Sequence, residues 1–151
     1  MKKRSTMLMA VALAFATVPV LAAEDDPFVG TWKLNVEKSK FSPGPAPKSS
    51  TVTIEPGGKV SVHSVGAKGE DETWSFTAVQ GEEATITGME GGTVVEKRSE
   101  RTVDHVWKTG TEGKMTGRGV ISKNGKRMTY TLDGTNGQGQ TVHNVEIYEK
   151  E

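Results

Sequence analysis

Residues 28–34 read FVGTWKL, from Phe28 to Leu34, and this stretch contains the start of the first of ten predicted β-strands. Further along the chain, short runs of alternating apolar and polar residues recur between Gly, Asn and Pro, as is typical of strands joined by turns. The turns at Gly57-Gly58 and Asn124-Gly125 contain residues that tolerate positive φ, as tight hairpins require. The pattern predicts strands near Gly30–Val36, Thr51–Glu55, Lys59–Val65, Glu72–Val79, Ala84–Gly88, Thr93–Ser99, Thr102–Thr109, Met115–Ser122, Lys126–Leu132 and Thr141–Glu149.

Short links between these strands predict an all-β fold with an antiparallel, up-and-down meander. We expect the meander to close into a barrel of about 8–10 strands, because closure removes exposed sheet edges. The composition agrees, since residues 23–151 contain 14 valines and 16 threonines but only two leucines, Leu34 and Leu132. Val and Thr suit a pleated, half-buried surface better than a helix. The chain has no cysteine, so the barrel must be stable without disulfides.

The first 22 residues have the three parts of a secretory signal peptide. The basic stretch Met1–Arg4 precedes an apolar run, Met7–Val18, and small residues then provide a cleavage site near Ala22 or Ala23. The run is shorter than the about 20 residues of a transmembrane helix. A leader this short, basic and Ala-rich is typical of bacteria. The sequence therefore predicts a signal peptide at 1–22, a single domain at 23–151, and a periplasmic or secreted protein.

The charge of the predicted mature domain limits its partners. Residues 23–151 contain 16 basic and 19 acidic residues, a net charge of −3. Binding to nucleic acid depends on basic residues that neutralise phosphates, so we expect no nucleic-acid partner, and the same argument disfavours an anionic membrane surface. The mature domain is expected to be a monomer without a membrane span.

Both ends of the domain resemble known β-barrels. Gly30-x-Trp32 in the first strand and the closing stretch Val145–Lys150 resemble the calycin superfamily, above all the lipocalins and the intracellular fatty-acid-binding proteins. Arg118, together with the turn that begins at Asn124, is similar to the basic strand before the penultimate hairpin of the fatty-acid-binding proteins. The resemblance implies a calycin-type, lipocalin-like barrel with Trp32 across its closed end.

The N-terminal stretch Asp26–Asn35 and the following Lys38–Pro45 also resemble a set of small exported bacterial proteins of lipocalin-like type. Two features depart from the fatty-acid-binding proteins. The proline-rich segment Phe41–Pro47 stands where that family has a helical lid. Glu146 stands where that family has an arginine for the ligand carboxylate, a role that suits the bidentate guanidinium.

The resemblance implies that Tyr148 points into the barrel, and the two-residue period of a strand then brings Glu146 inward as well. Arg118 is also expected to point inward. A buried carboxylate needs a partner, because an unpaired buried charge is costly, and Arg118 or Arg98 is the expected partner of Glu146. These residues could form a polar patch in a ligand cavity or an internal salt bridge that only stabilises the barrel.

Three aromatic residues at strand centres, Trp74, Trp107 and Tyr130, are further candidates. They could line a pocket for an apolar ligand, since such sites are rich in aromatic side chains. They could equally complete a core that is poor in leucine. The candidate ligand-binding residues are therefore Arg118, Tyr148, Glu146, Trp74, Trp107 and Tyr130.

No pattern in the chain predicts catalysis, a cofactor or a metal. His63, His105 and His143 fall on three separate strands without the spacing of a zinc site, and His63 and His143 are expected to face water. The nucleophile elbow, the zinc-protease helix and the phosphate loop are all missing from the sequence. The chain is therefore predicted not to be an enzyme.

Two functional hypotheses follow. The first is an exported barrel that binds a small apolar or amphipathic ligand. The second is a protein-interaction or inhibitor-type envelope module whose barrel is filled by its own side chains. A cavity of roughly 300 Å³ or more would favour the first hypothesis.

Overall fold

The computed structural model describes residues 26–151, so the predicted signal peptide at 1–22 lies outside the described residues. The described part is all-β and contains eleven strands and no helix. These are β1 (Gly30–Leu34), β2 (Lys40–Ser42), β3 (Ser49–Ile54), β4 (Lys59–Val65), β5 (Asp71–Thr77), β6 (Glu83–Thr85), β7 (Thr93–Arg98), β8 (Thr102–Thr109), β9 (Gly113–Ile121), β10 (Arg127–Thr135) and β11 (Thr141–Lys150). All ten predicted strands are present. No helix in residues 26–151 is long and apolar enough to cross a membrane.

The strands form one antiparallel sheet in the order β5-β4-β3-β1-β11-β10-β9-β8-β7-β6. The first strand thus pairs with the last, since Trp32 of β1 lies opposite Lys150 of β11. The two ends of the sheet meet where Ser75 and Thr87 exchange two backbone hydrogen bonds of 2.9 and 2.8 Å. The predicted meander and its near-complete closure into a barrel are confirmed.

The end of the barrel near β1 is tightly packed. Trp32 is fully buried and Phe28 almost so. The Trp32 indole donates a hydrogen bond of 2.8 Å to the carbonyl of Phe28, and the Lys150 ammonium lies 5.1 Å from the centre of the indole ring system. The predicted structural role of Trp32 agrees with this geometry, because its one polar atom is satisfied within the chain.

The proline-rich connection contains the one strand that the sequence did not predict. Residues Lys40–Ser42 form β2, which pairs with β11 opposite His143–Val145. A side-chain contact fixes its start, since the Ser39 hydroxyl accepts a 2.9 Å hydrogen bond from the Ile147 amide. A three-residue strand directly before a proline is too short to show a recognisable alternation.

Candidate functional site

The interior of the barrel contains a cavity of about 270 Å³. This volume is just under the about 300 Å³ at which small-molecule sites usually begin. Residues from nearly every strand line the cavity, from Phe28 and Ile54 near the Trp32 end to Phe41 and Pro47 of the proline-rich connection. The side chains therefore do not fill the barrel interior completely, and the space that they leave is small.

Aromatic rings form one wall of the cavity. Trp74 is stacked on Phe76 with the ring centres 6.3 Å apart, and the edge of Trp107 meets both rings at 5.7 Å. The His105 ring adds to this wall, 4.8 Å from Trp107. Edge-to-face and offset-stacked pairs are the favoured geometries of aromatic rings. The wall is thus a fixed apolar surface with the His105 ring at its border.

A chain of polar side chains runs beside the aromatic wall. Glu96 of β7 faces His105 of β8 in the strand register, and its carboxylate lies 2.9 Å from His105 Nε2. The other ring nitrogen of His105 lies 3.0 Å from the hydroxyl of Tyr130. The Trp107 indole donates a 2.8 Å hydrogen bond to the same hydroxyl. The hydroxyl of Tyr130 therefore joins two neighbouring side chains of β8.

One arrangement of protons satisfies all the hydrogen bonds in this row of polar side chains. In the neutral tautomer of His105 whose Nδ1 is unprotonated, that nitrogen accepts the proton of the Tyr130 hydroxyl, and the same hydroxyl accepts the Trp107 N–H. His105 then carries its proton on Nε2 and donates it to Glu96. Burial raises the pKa of the Tyr130 hydroxyl well above its usual value. Tyr130 is therefore a neutral donor, not a phenolate.

Glu96 is the acid at the end of this chain, and it is almost completely buried. Burial raises the pKa of Glu96, but the hydrogen bonds and charge interactions with His105 and Arg98 together outweigh burial and hold the pKa below its usual value. The Arg98 guanidinium contacts Glu96 and also lies 3.1 Å from Asp26. Glu96 is thus a buried carboxylate whose charge is compensated.

Glu146 of β11 is a second acid on the cavity, in a different environment. Its carboxylate accepts a 2.8 Å hydrogen bond from the Tyr148 hydroxyl and one of 3.2 Å from the Asn144 amide. Among residues 26–151, no Lys, Arg or His lies within ion-pair distance of it. Burial therefore raises the pKa of the Glu146 carboxyl.

The prediction that Glu146 forms a salt bridge with Arg118 or Arg98 is thus wrong. Arg118 lies on the outer surface, where its side chain is 62% exposed and pairs with Asp104 at 3.0 Å. Arg98 does line the cavity, but it pairs with Glu96. On β9 the positions on either side of Arg118, Gly117 and Gly119, face inward, so the prediction that Arg118 points into the barrel is also wrong.

The other candidate residues all lie on the cavity: Trp74, Trp107, Tyr130, Glu146 and Tyr148. Two further residues on the cavity, Glu96 and His105, were not among the predicted ligand-binding residues. A signal for both was present, because Glu96 shares a strand phase with Val94, and His105 shares one with Val103 and Trp107. A polar residue in phase with buried apolar neighbours is expected to point inward.

The other two histidines are remote from the cavity. His63 pairs with Asp71 and His143 with Asp133, and both histidine side chains are more than half exposed, as predicted. In the part of the chain that the structure describes, no three His, Asp or Glu side chains are grouped closely enough to hold a metal ion.

Comparison with known proteins supports the fold. No family model matches the chain, and no curated protein is similar to it in sequence. Two crystal structures of point variants of the fluorescent protein UnaG are similar to this chain, each with a TM-score of 0.51 and 21% identity. The alignment covers 83% of this chain and 96% of the UnaG chain. The chain therefore has a calycin-like barrel fold, as predicted, and at this identity the likeness extends to the fold alone.

Proposed function

We propose that this protein binds a small apolar or amphipathic molecule inside its barrel. The observation that carries the proposal is the cavity of about 270 Å³, walled by aromatic rings, with Glu146 and the Tyr130 hydroxyl on its lining. Ligand sites commonly combine mostly apolar walls with a few fixed polar groups. The alternative, an interaction module with a filled barrel, does not account for this space.

A neutral fluorescent dye, N-phenylnaphthylamine, tests the proposal directly. We expect its emission to rise when it is titrated into the protein at micromolar concentration, because the dye leaves water for an apolar site. Leu132 lines the cavity, so Leu132→Trp should fill part of it and weaken dye binding by about tenfold or more.

The matched control places the same residue on the outside of the barrel. Val120 of β9 is 45% exposed, so Val120→Trp should bind the dye as the unaltered protein does. If the unaltered protein gives no emission change, or if both variants lose the dye equally, the proposal is wrong.

We also propose that binding takes place outside the cytoplasm. The proposal is motivated by the signal-peptide pattern of residues 1–22. After expression of the full chain in a bacterium, the intact mass of the protein in the periplasm and medium should correspond to a start at Ala23 or Glu24. A full-length mass confined to the cytosol would contradict export.

A further inference from the structure

We propose that the cavity selects a ligand with a cationic ammonium group on an apolar body, and that Glu146 takes the ammonium group. The proposal deepens the proposed function and rests on it. The Glu146 side chain lines the cavity, is partly buried, and has no cationic partner among residues 26–151.

The charges around the cavity exclude the opposite kind of ligand. Arg98 is the one permanent cation among the residues that line the cavity. Its guanidinium already contacts Glu96 and Asp26, and it lies over the ring of Phe28 at 5.1 Å. A ligand carboxylate would therefore find no free cation and would face the unpaired Glu146. Burying a second unpaired charge beside the first is costly.

The geometry of Glu146 leaves room for an ammonium group. Tyr148 donates to one carboxylate oxygen and Asn144 to the other. An ionised carboxyl has about four acceptor sites on its two oxygens, so these two neutral donors leave half of them open. The two donors hold the carboxylate in place but leave its charge uncompensated.

An ammonium ligand would supply the missing charge. The pKa of Glu146 is raised because burial penalises its ionised form, and a cation bound beside it would offset that penalty. Ammonium-to-carboxylate hydrogen bonds are about twice as strong as neutral ones. The apolar body of the ligand would contact the wall formed by Trp74, Phe76 and Trp107.

Three probes that share one alkyl chain separate the contributions of charge and apolar contact: octylamine, octanol and octanoate. Each would be used at neutral pH to displace N-phenylnaphthylamine from the mature protein, residues 23–151. We expect octylamine to displace the dye at the lowest concentration, octanol to be weaker and octanoate the weakest. In Glu146→Gln, the advantage of octylamine over octanol should fall on the order of ten- to a hundredfold, because a hydrogen bond to a charged group is lost.

A second substitution controls for net charge. Glu149→Gln removes one acid from the same strand, but Glu149 is exposed and pairs with Lys38 on the surface. Its preference for octylamine should be unchanged. If octanoate binds as well as octylamine, or if Glu146→Gln keeps the preference, the ammonium inference is wrong while binding itself stands. If neither the dye nor any probe binds, both proposals fail.

Discussion

At the scale of single residues, the Tyr130 hydroxyl is the group on which the interior polar chain depends. It accepts the Trp107 N–H and lies within 3.0 Å of His105, which in turn contacts Glu96. Each of these side chains is buried or nearly so. A buried donor or acceptor without a partner costs more than its hydrogen bond contributes when formed. The hydroxyl therefore stabilises the barrel through two partners at once.

Replacing Tyr130 with Phe should lower the free energy of unfolding by about 1–3 kcal/mol, because the Trp107 N–H and His105 Nδ1 both lose their partner. Urea unfolding followed by tryptophan fluorescence would measure the change. Thr131→Val, at the next position of the same strand, is the control, since it removes a hydroxyl that is not hydrogen-bonded to His105 or Trp107. Equal losses in the two variants would mean that the Tyr130 hydroxyl contributes no more to stability than the hydroxyl of Thr131.

At the scale of strands, β9 provides the space that Tyr130 occupies. The inward positions of this strand include Gly117 and Gly119, which lie opposite Leu132 and Tyr130 of β10. A Cβ atom added at Gly117 would lie 1.8 Å from the Tyr130 hydroxyl oxygen. Glycine in a strand often marks a place where another group approaches closely. The absence of side chains at Gly117 and Gly119 thus leaves the space that the Tyr130 ring occupies.

Gly117→Ala should therefore destabilise the protein by about 1–3 kcal/mol, as expected for an overpacked core. The same substitution in a Tyr130→Leu background should cost less, because the shorter side chain leaves the space free. Thermal unfolding of the two single variants and the double variant gives the coupling between the sites. Additive effects would show that the ring of Tyr130 can move aside without cost.

At the scale of the whole molecule, the sequence predicts the strands better than it predicts which way they face. Strands Lys59–Val65 and Thr102–Thr109 have the predicted bounds, because alternation and turn residues are local signals. The direction of Arg118 depends on the phase of β9, which is ambiguous in the sequence because the central inward positions, Gly117 and Gly119, are glycines, while the apolar Val120 faces outward. The partner of Glu96 depends on register between strands, which no local pattern contains. The barrel could therefore be predicted, but its interior charge pairs could not.

The two acids of the cavity affect the stability of the whole barrel in opposite directions. The pKa of Glu96 is lower in the fold than in the unfolded chain, so its contribution is present at neutral pH and is lost as pH falls through that folded pKa. The pKa of Glu146 is higher in the fold. The contribution of Glu146 is therefore favourable below its unfolded pKa and is lost as pH rises through its folded pKa. Glu146 therefore contributes less to the stability of an empty barrel at pH 7 than at acidic pH.

Two isosteric substitutions test whether Glu96 and Glu146 affect stability at neutral pH in opposite directions. At pH 7, Glu146→Gln should raise the melting temperature of the ligand-free protein by a few degrees, because it removes a carboxyl group whose ionised form is disfavoured by burial. The difference from the unaltered protein should shrink as the pH falls below about 4, where the carboxyl becomes mostly neutral in both states. Glu96→Gln should lower the melting temperature at pH 7, because Arg98 and His105 lose their charged partner. A melting temperature that falls in both variants would mean that Glu146 is compensated in solution, and an acid kept at a cost to stability would no longer point to a cationic ligand.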